Sequence, residues 1–94
     1  MEYTIFFPTP WDQVNVENDN IDVCLTFLDG RNYTFVVTTP ENIQSMMEQD
    51  RKSYLVPATP MLIAKELTPD VVKALIAELV QDKHLLNCYG SDYL

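Results

Sequence analysis

The sequence has few of the residues that phosphate, metal and nucleic-acid sites require. Its 94 residues include two glycines, two cysteines and one histidine, and only six bases stand against 14 acids. Two isolated glycines, Gly30 and Gly90, do not make the glycine-rich loop that cradles a phosphate. Six scattered bases do not make the basic stripe by which proteins bind nucleic acid. We therefore expect neither a nucleotide site nor a nucleic-acid interface.

Long apolar runs are also missing. Residues 71–80 cover only about half of the roughly 20 residues that a membrane span needs, and charges interrupt them. The start, Met-Glu-Tyr-Thr, lacks the basic residues and the small-residue cleavage site of a secretion signal. The chain is 47% hydrophobic, which is typical of a globular protein, and its length supports one hydrophobic core. The sequence predicts a single cytoplasmic domain, residues 1–94, that does not enter a membrane.

Groups able to catalyse a reaction or to hold a metal ion are few. His84 would share a helical face with Cys88, but the sequence offers no cluster that completes a zinc site. Cys24 is expected to pack as a small hydrophobic residue. The acids near it do not match a calcium loop, because Val23 stands where that loop requires glycine. We expect no cofactor, no metal and no enzymatic activity, with His84 at the end of a helix and a weak surface cation site as the open alternative.

Alternating apolar and polar residues predict a β-hairpin. Residues 22–28 and 32–38 alternate in this way and are joined through Asp29-Gly30. A two-residue turn would place the two apolar sets on opposite faces. A three-residue loop with a bulge, and with Gly30 in the left-handed conformation, places both sets on one face. Burial favours the second arrangement, whose core face consists of Val23, Leu25, Phe27, Tyr33, Phe35 and Val37.

Helix-start signals and further β-prone runs complete the predicted fold. Two Thr-Pro pairs are typical helix starts, and the apolar spacing behind them predicts helices over residues 40–50 and 69–84. Short β-prone runs predict three more strands, at residues 2–7, 54–56 and 61–67. Residues 85–94 are expected to form a tail packed through its leucines. The order β-β-β-α-β-β-α indicates an α+β fold, an antiparallel sheet of about five strands with two helices on one face.

The acids are concentrated near the start of the chain. The first thirty residues hold six acids, and the first base is Arg31. Excess acid keeps a small protein soluble, but it also attracts basic partners. The only tryptophan, Trp11, lies in a proline-braced loop beside these acids. It is either a hydrophobic plug on the sheet or the anchor of a binding surface. In the second interpretation, a basic protein binds to Trp11, Asp12, Glu17, Asp19 and Asp22.

Three segments carry a resemblance to a known kind of protein: Asn18–Val23, Leu28–Tyr33 and Thr39–Ile43. Together they resemble a family of small acidic bacterial proteins of unassigned function, over about Tyr3 to Val80. The resemblance implies a bacterial or phage cytosolic protein and supplies no catalytic residues. In size, acidity and lack of catalytic groups, the chain is also similar to immunity proteins, which neutralise a toxin by covering its basic active site.

Three functions follow as hypotheses. The leading one is a non-enzymatic protein-binding module with an acidic surface, a toxin-neutralising inhibitor of the immunity type. The second is a structural homodimer or accessory subunit that pairs along an exposed edge strand, such as residues 3–7 or 54–56. The third is a phage-type DNA mimic, whose carboxylates would have to be spaced along one face like phosphates.

Overall fold

A computed structural model of the protein describes residues 2–92, except for the side chains of Ser91 and Asp92. Tyr93 and Leu94, the end of the predicted tail, lie outside the described residues. The chain folds into an α+β structure whose elements, in order, are β1 (Tyr3–Phe6), β2 (Asn20–Phe27), β3 (Asn32–Thr38), α1 (Pro40–Gln49), β4 (Met61–Ile63), α2 (Pro69–Val80), α3 (Lys83–Tyr89) and β5 (Ser91–Asp92). A single 3₁₀ turn, Trp11–Gln13, lies between β1 and β2.

The hairpin of β2 and β3 has the predicted register. Phe27 donates its N–H to the carbonyl oxygen of Arg31, which leaves a three-residue loop, and Gly30 adopts φ 93°. Only glycine adopts this conformation without strain. The six predicted core positions therefore share one face, where Tyr33 is half-buried and the other five are buried. The three-residue loop and the core face are both confirmed.

The sheet is mixed, so the prediction of an antiparallel sheet is wrong. Its strands lie in the order β1-β2-β3-β4, and β5 lies beside β3 as well. The pairs β1–β2, β2–β3 and β3–β5 are antiparallel, whereas β3 and β4 run parallel. A parallel pair needs a crossover of a dozen or more residues, and residues 39–60, which contain α1, supply it.

Two predicted strands differ from the structure. Residues 54–56 form no strand, and Tyr54 and Val56 are 61% and 80% exposed. The predicted strand 61–67 ends at Ile63, because Ile63 lies opposite Thr38, the last residue of β3. Beyond that point β4 has no partner. The chain instead turns and buries Ala64 and Leu67 in the core.

The helices also differ from the prediction after residue 80. Helix α2 buries Val72, Ile76 and Leu79 as its spacing predicted, but it ends at Val80. The Asp82 carboxylate accepts backbone N–H bonds from the first turn of a new helix, α3. Residues 85–89 of the expected tail are therefore helical, and Leu86 anchors them in the core.

Helix α1 contributes nothing to the core. The two predicted helices were α1 and α2, but the helices that bury residues in the core are α2 and α3, and α1 contains no buried residue. Its apolar side chains Ile43, Met46 and Met47 are half-buried.

We call the core-facing side of the sheet the core face. The opposite side is the outer face, and it carries Phe6, Asp22, Cys24, Thr34, Val36 and Met61.

Candidate binding surface

Trp11 packs against the hydrophobic core. Its ring is half-buried, packs against the core, and meets the Phe7 ring edge-to-face, with the two centroids 4.9 Å apart. The 3₁₀ turn places it there, and Val14, just after the turn, also packs on the core. Part of the tryptophan surface is thus used for packing, as the plug interpretation expects.

Asp19 holds a loop. Its carboxylate accepts the backbone N–H of Asn15 at 3.0 Å and that of Asn20 at 2.9 Å. The side chain is half-buried, and the adjoining Thr39 hydroxyl accepts the Asp19 N–H at 3.4 Å. A change at Asp19 would therefore alter the loop as well as the surface charge.

The other three predicted site residues are exposed, and one of them, Asp22, lies on the side of the sheet opposite Trp11. Asp12 and Glu17 lie in the loop between β1 and β2, and Asp22 lies in β2. Asp22 alternates with the buried residues Ile21 and Val23 and so lies on the outer face, whereas Trp11 packs on the core side. The structure divides the predicted site between the two sides of the sheet.

Glu17 lies in an acidic depression of about 300 Å³, which also involves Glu41, Glu66, Lys65 and Pro40. The Leu67 N–H donates to the Val16 carbonyl oxygen at 2.7 Å, which brings the two loops together. Within the described part of the chain, none of the three glutamates forms an ion pair. Sequence reasoning missed Glu41 and Glu66, because a helix start and a loop far along the chain give no sign that they face Glu17.

Asp22 lies in a second concavity, a groove of about 290 Å³ on the outer face. It was not predicted, and it exists because two segments reach the same edge of β3. Strand β4 begins at Met61 beside Val36, and β5 begins at Ser91 beside Thr34. The groove between them is lined by Asp22, Thr34, Val36, Thr59, Pro60, Tyr89 and Gly90.

His84 and Cys88 share one exposed face of α3, as their spacing predicted. The Cys88 sulfur lies 3.6 Å from His84 Nε2. His84 is not at the end of a helix, however, because the break after Val80 places it in the first turn of α3. Among residues 2–92, no group of three His, Cys, Asp or Glu side chains is placed to hold a metal ion.

The described helices are too short and too polar for any of them to cross a bilayer. Comparison with protein-family profiles, curated proteins and solved structures finds no match to this chain.

Proposed function

We propose that this chain is a non-enzymatic, cytoplasmic protein-binding module that holds a basic partner by its acidic surface. The observation that carries the proposal is the distribution of charge. Every described acidic side chain is exposed except Asp19, which is half-buried, and the net charge of the chain is −8. Such a surface raises the encounter rate with a basic protein and disfavours nucleic acid and anionic lipid.

The acidic depression supports the proposal, because it concentrates this charge. Three carboxylates from separate parts of the chain, Glu17, Glu41 and Glu66, surround one concavity, and among the described residues Lys65 is the single base that lines it. A toxin whose active site is basic is the kind of partner such a surface fits. The resemblance to immunity proteins and to small acidic bacterial proteins points in the same direction and stays a prediction.

The test compares two variants of equal net charge. Glu17→Gln/Glu41→Gln/Glu66→Gln removes three charges from the depression, and Glu2→Gln/Glu48→Gln/Glu78→Gln removes three exposed charges elsewhere. Each tagged protein is incubated with lysate of the source cells at low salt, eluted with rising salt, and the eluate is read by mass spectrometry. We expect a basic protein that wild type and the control retain to similar salt concentrations and that the depression variant loses.

Two results would contradict the proposal. Equal loss by both triple variants would mean that the partner responds to net charge alone. If no basic protein is captured stoichiometrically, the chain is not the protein-binding module that we propose. If the captured protein is a DNA-binding protein that DNA displaces from the chain, the DNA-mimic hypothesis replaces the immunity-type one.

A homodimer is the second candidate, and one observation favours it. Strand β1 pairs only with β2, so its other edge has open backbone N–H and C=O groups within the described chain. Two such edges can pair about a two-fold axis. The other proposed edge, residues 54–56, is not a strand. A mass in solution equal to one chain at micromolar concentration would exclude this candidate, and a mass of two chains would support it.

A further inference from the structure

The groove on the outer face has the composition of a site for a cationic side chain. The Asp22 carboxylate is exposed on β2, opposite Val36 on β3. Val36 and Pro60 supply apolar surface, and the Tyr89 ring is 36% exposed. Among the described residues, no base lines the groove. The groove therefore combines one negative charge, an aromatic face and apolar walls.

The backbone gives the groove a defined shape. By the strand registers, Pro60 and Gly90 both lie at the level of Phe35, just before β4 and β5 begin and run along the edge of β3 in opposite directions. The Gly90 N–H donates to the Leu86 carbonyl oxygen at 2.9 Å, which fixes the end of α3 beside the sheet. The floor of the groove is thus formed by the paired strands β2 and β3, and one wall is hydrogen-bonded to the end of α3.

We infer that this groove binds an arginine side chain presented by the basic protein partner. Its volume, about 290 Å³, is just below the roughly 300–1,000 Å³ typical of small-molecule sites, so it fits one side chain better than a larger ligand. The aliphatic stem of arginine packs on Val36 and Pro60, the planar guanidinium stacks on Tyr89, and its N–H groups donate to Asp22. Lysine provides the charge but neither the fork of donors nor the stacking plane.

This inference rests on the proposed function, because it names the partner group that the module recognises. The test uses a defined probe, the blocked tripeptide acetyl-Gly-Arg-Gly-amide, titrated into ¹⁵N-labelled protein and followed by two-dimensional NMR. The same peptide with citrulline is the control, since citrulline keeps the shape of arginine and removes the charge. We expect saturable shifts of the Thr34, Val36 and Gly90 amides with arginine, weaker shifts with lysine, and none with citrulline.

Matched variants locate the interaction. Asp22→Asn should weaken arginine binding at least about fivefold, and Tyr89→Leu should weaken it by roughly twofold or more. Glu78→Gln removes one exposed charge from α2 and should bind like wild type. The unperturbed remainder of each NMR spectrum shows that the variant is folded.

The inference is overturned if the groove amides do not shift, if citrulline binds as well as arginine, or if Asp22→Asn and Glu78→Gln have equal effects. Its failure is distinguishable from failure of the proposed function. A captured partner that depends on the acidic depression, together with no arginine binding, leaves the module in place and removes the groove. Arginine binding at Asp22 with no captured partner supports the groove and removes the module.

Discussion

Thr39 shows how much structure one side chain can hold. It is fully buried, and its hydroxyl accepts the N–H of Asn42 at the start of α1 and that of Asp19 before β2. The Thr39 N–H in turn donates to the Asp19 carbonyl oxygen. This residue therefore joins the loop before β2, the end of β3 and the first turn of α1, beside the acidic depression.

Replacing Thr39 with valine keeps the shape and removes the acceptor. We expect Thr39→Val to lower the free energy of unfolding by about 1–2 kcal/mol, because a helix cap is lost and two N–H groups lose their partner. Urea unfolding with an unchanged slope measures the loss. Thr26→Val, at an exposed position of β2, is the control and should change stability by less than about 0.5 kcal/mol. Equal effects of both changes would contradict the assigned role of Thr39.

Asp29, at the hairpin tip, predicts a pH effect. The Arg31 backbone N–H donates to its carboxylate at 3.1 Å and the Arg31 guanidinium at 2.8 Å. These contacts hold the pKa of Asp29 below its ordinary value, the backbone bond being the larger cause. A pKa lowered on folding adds stability at pH values above the unfolded pKa, and this is lost as pH falls through the folded pKa. In an NMR titration of Arg31→Gln, the Asp29 pKa should rise but stay below that of an unfolded peptide. A full return to the peptide value would contradict the backbone contribution.

The contacts of each predicted site residue decide whether its substitution tests binding without disturbing the fold. Asp12, Glu17 and Asp22 are exposed, so their replacement changes charge with little effect on packing. Trp11 packs on Phe7 and Asp19 holds a loop, so loss of binding by variants at these two positions would not separate recognition from folding.

At the scale of elements, Gly90 joins α3 to β5 at a position with no room for a side chain. A Cβ on Gly90 would lie 2.9 Å from the Leu86 carbonyl oxygen and 2.9 Å from ring atoms of Phe35 and Tyr33. The last turn of α3 or the two rings would have to move. The close approach, and not an unusual φ, therefore requires glycine here.

Gly90→Ala should accordingly destabilise the protein by about 1–3 kcal/mol, the usual cost of overpacking. We also expect faster hydrogen exchange at amides of β3 that face β5, because β5 would separate from the sheet. Asn87→Ala, at an exposed position of α3, is the control and should leave both measurements nearly unchanged. Normal exchange protection in Gly90→Ala would show that the junction can relax around a methyl group.

At the scale of the whole molecule, charge is the dominant feature. A net charge of −8 on a chain of 94 residues repels itself in the folded state, and salt screens that repulsion. We expect the Tm to rise by several degrees between about 10 mM and about 0.5 M NaCl, since the Debye length falls severalfold over that range. Scanning calorimetry measures the change.

The control for this prediction is Glu48→Lys/Glu78→Lys. Each change replaces a negative charge by a positive one and so raises the net charge by two units, which brings the double variant to about −4. Both residues are exposed, and the variant should show a smaller rise in Tm with salt than wild type. An equal rise would point to a general effect of salt on hydrophobic burial.

The local structure was predictable from the amino-acid sequence. Hydrophobic alternation and the need of Gly30 for a positive φ defined the hairpin register, and Thr-Pro pairs defined the starts of α1 and α2, because these signals depend on neighbours in the chain. The break between α2 and α3 was not predicted, because the apolar spacing of α2 continues past it. Asp82, a residue type that commonly caps helices, was the signal that could have indicated the break.

The remaining features of the fold and of the surface come from tertiary contacts. The parallel pairing of β4, the end of that strand opposite Thr38, and the arrival of β5 at the same edge depend on contacts between distant segments. The same contacts bring Glu17 to Glu41 and Glu66, and set Asp22 beside Tyr89 on the opposite side of the sheet from Trp11. The spacing of residues along the chain does not indicate these contacts, because they arise from the packing of whole elements.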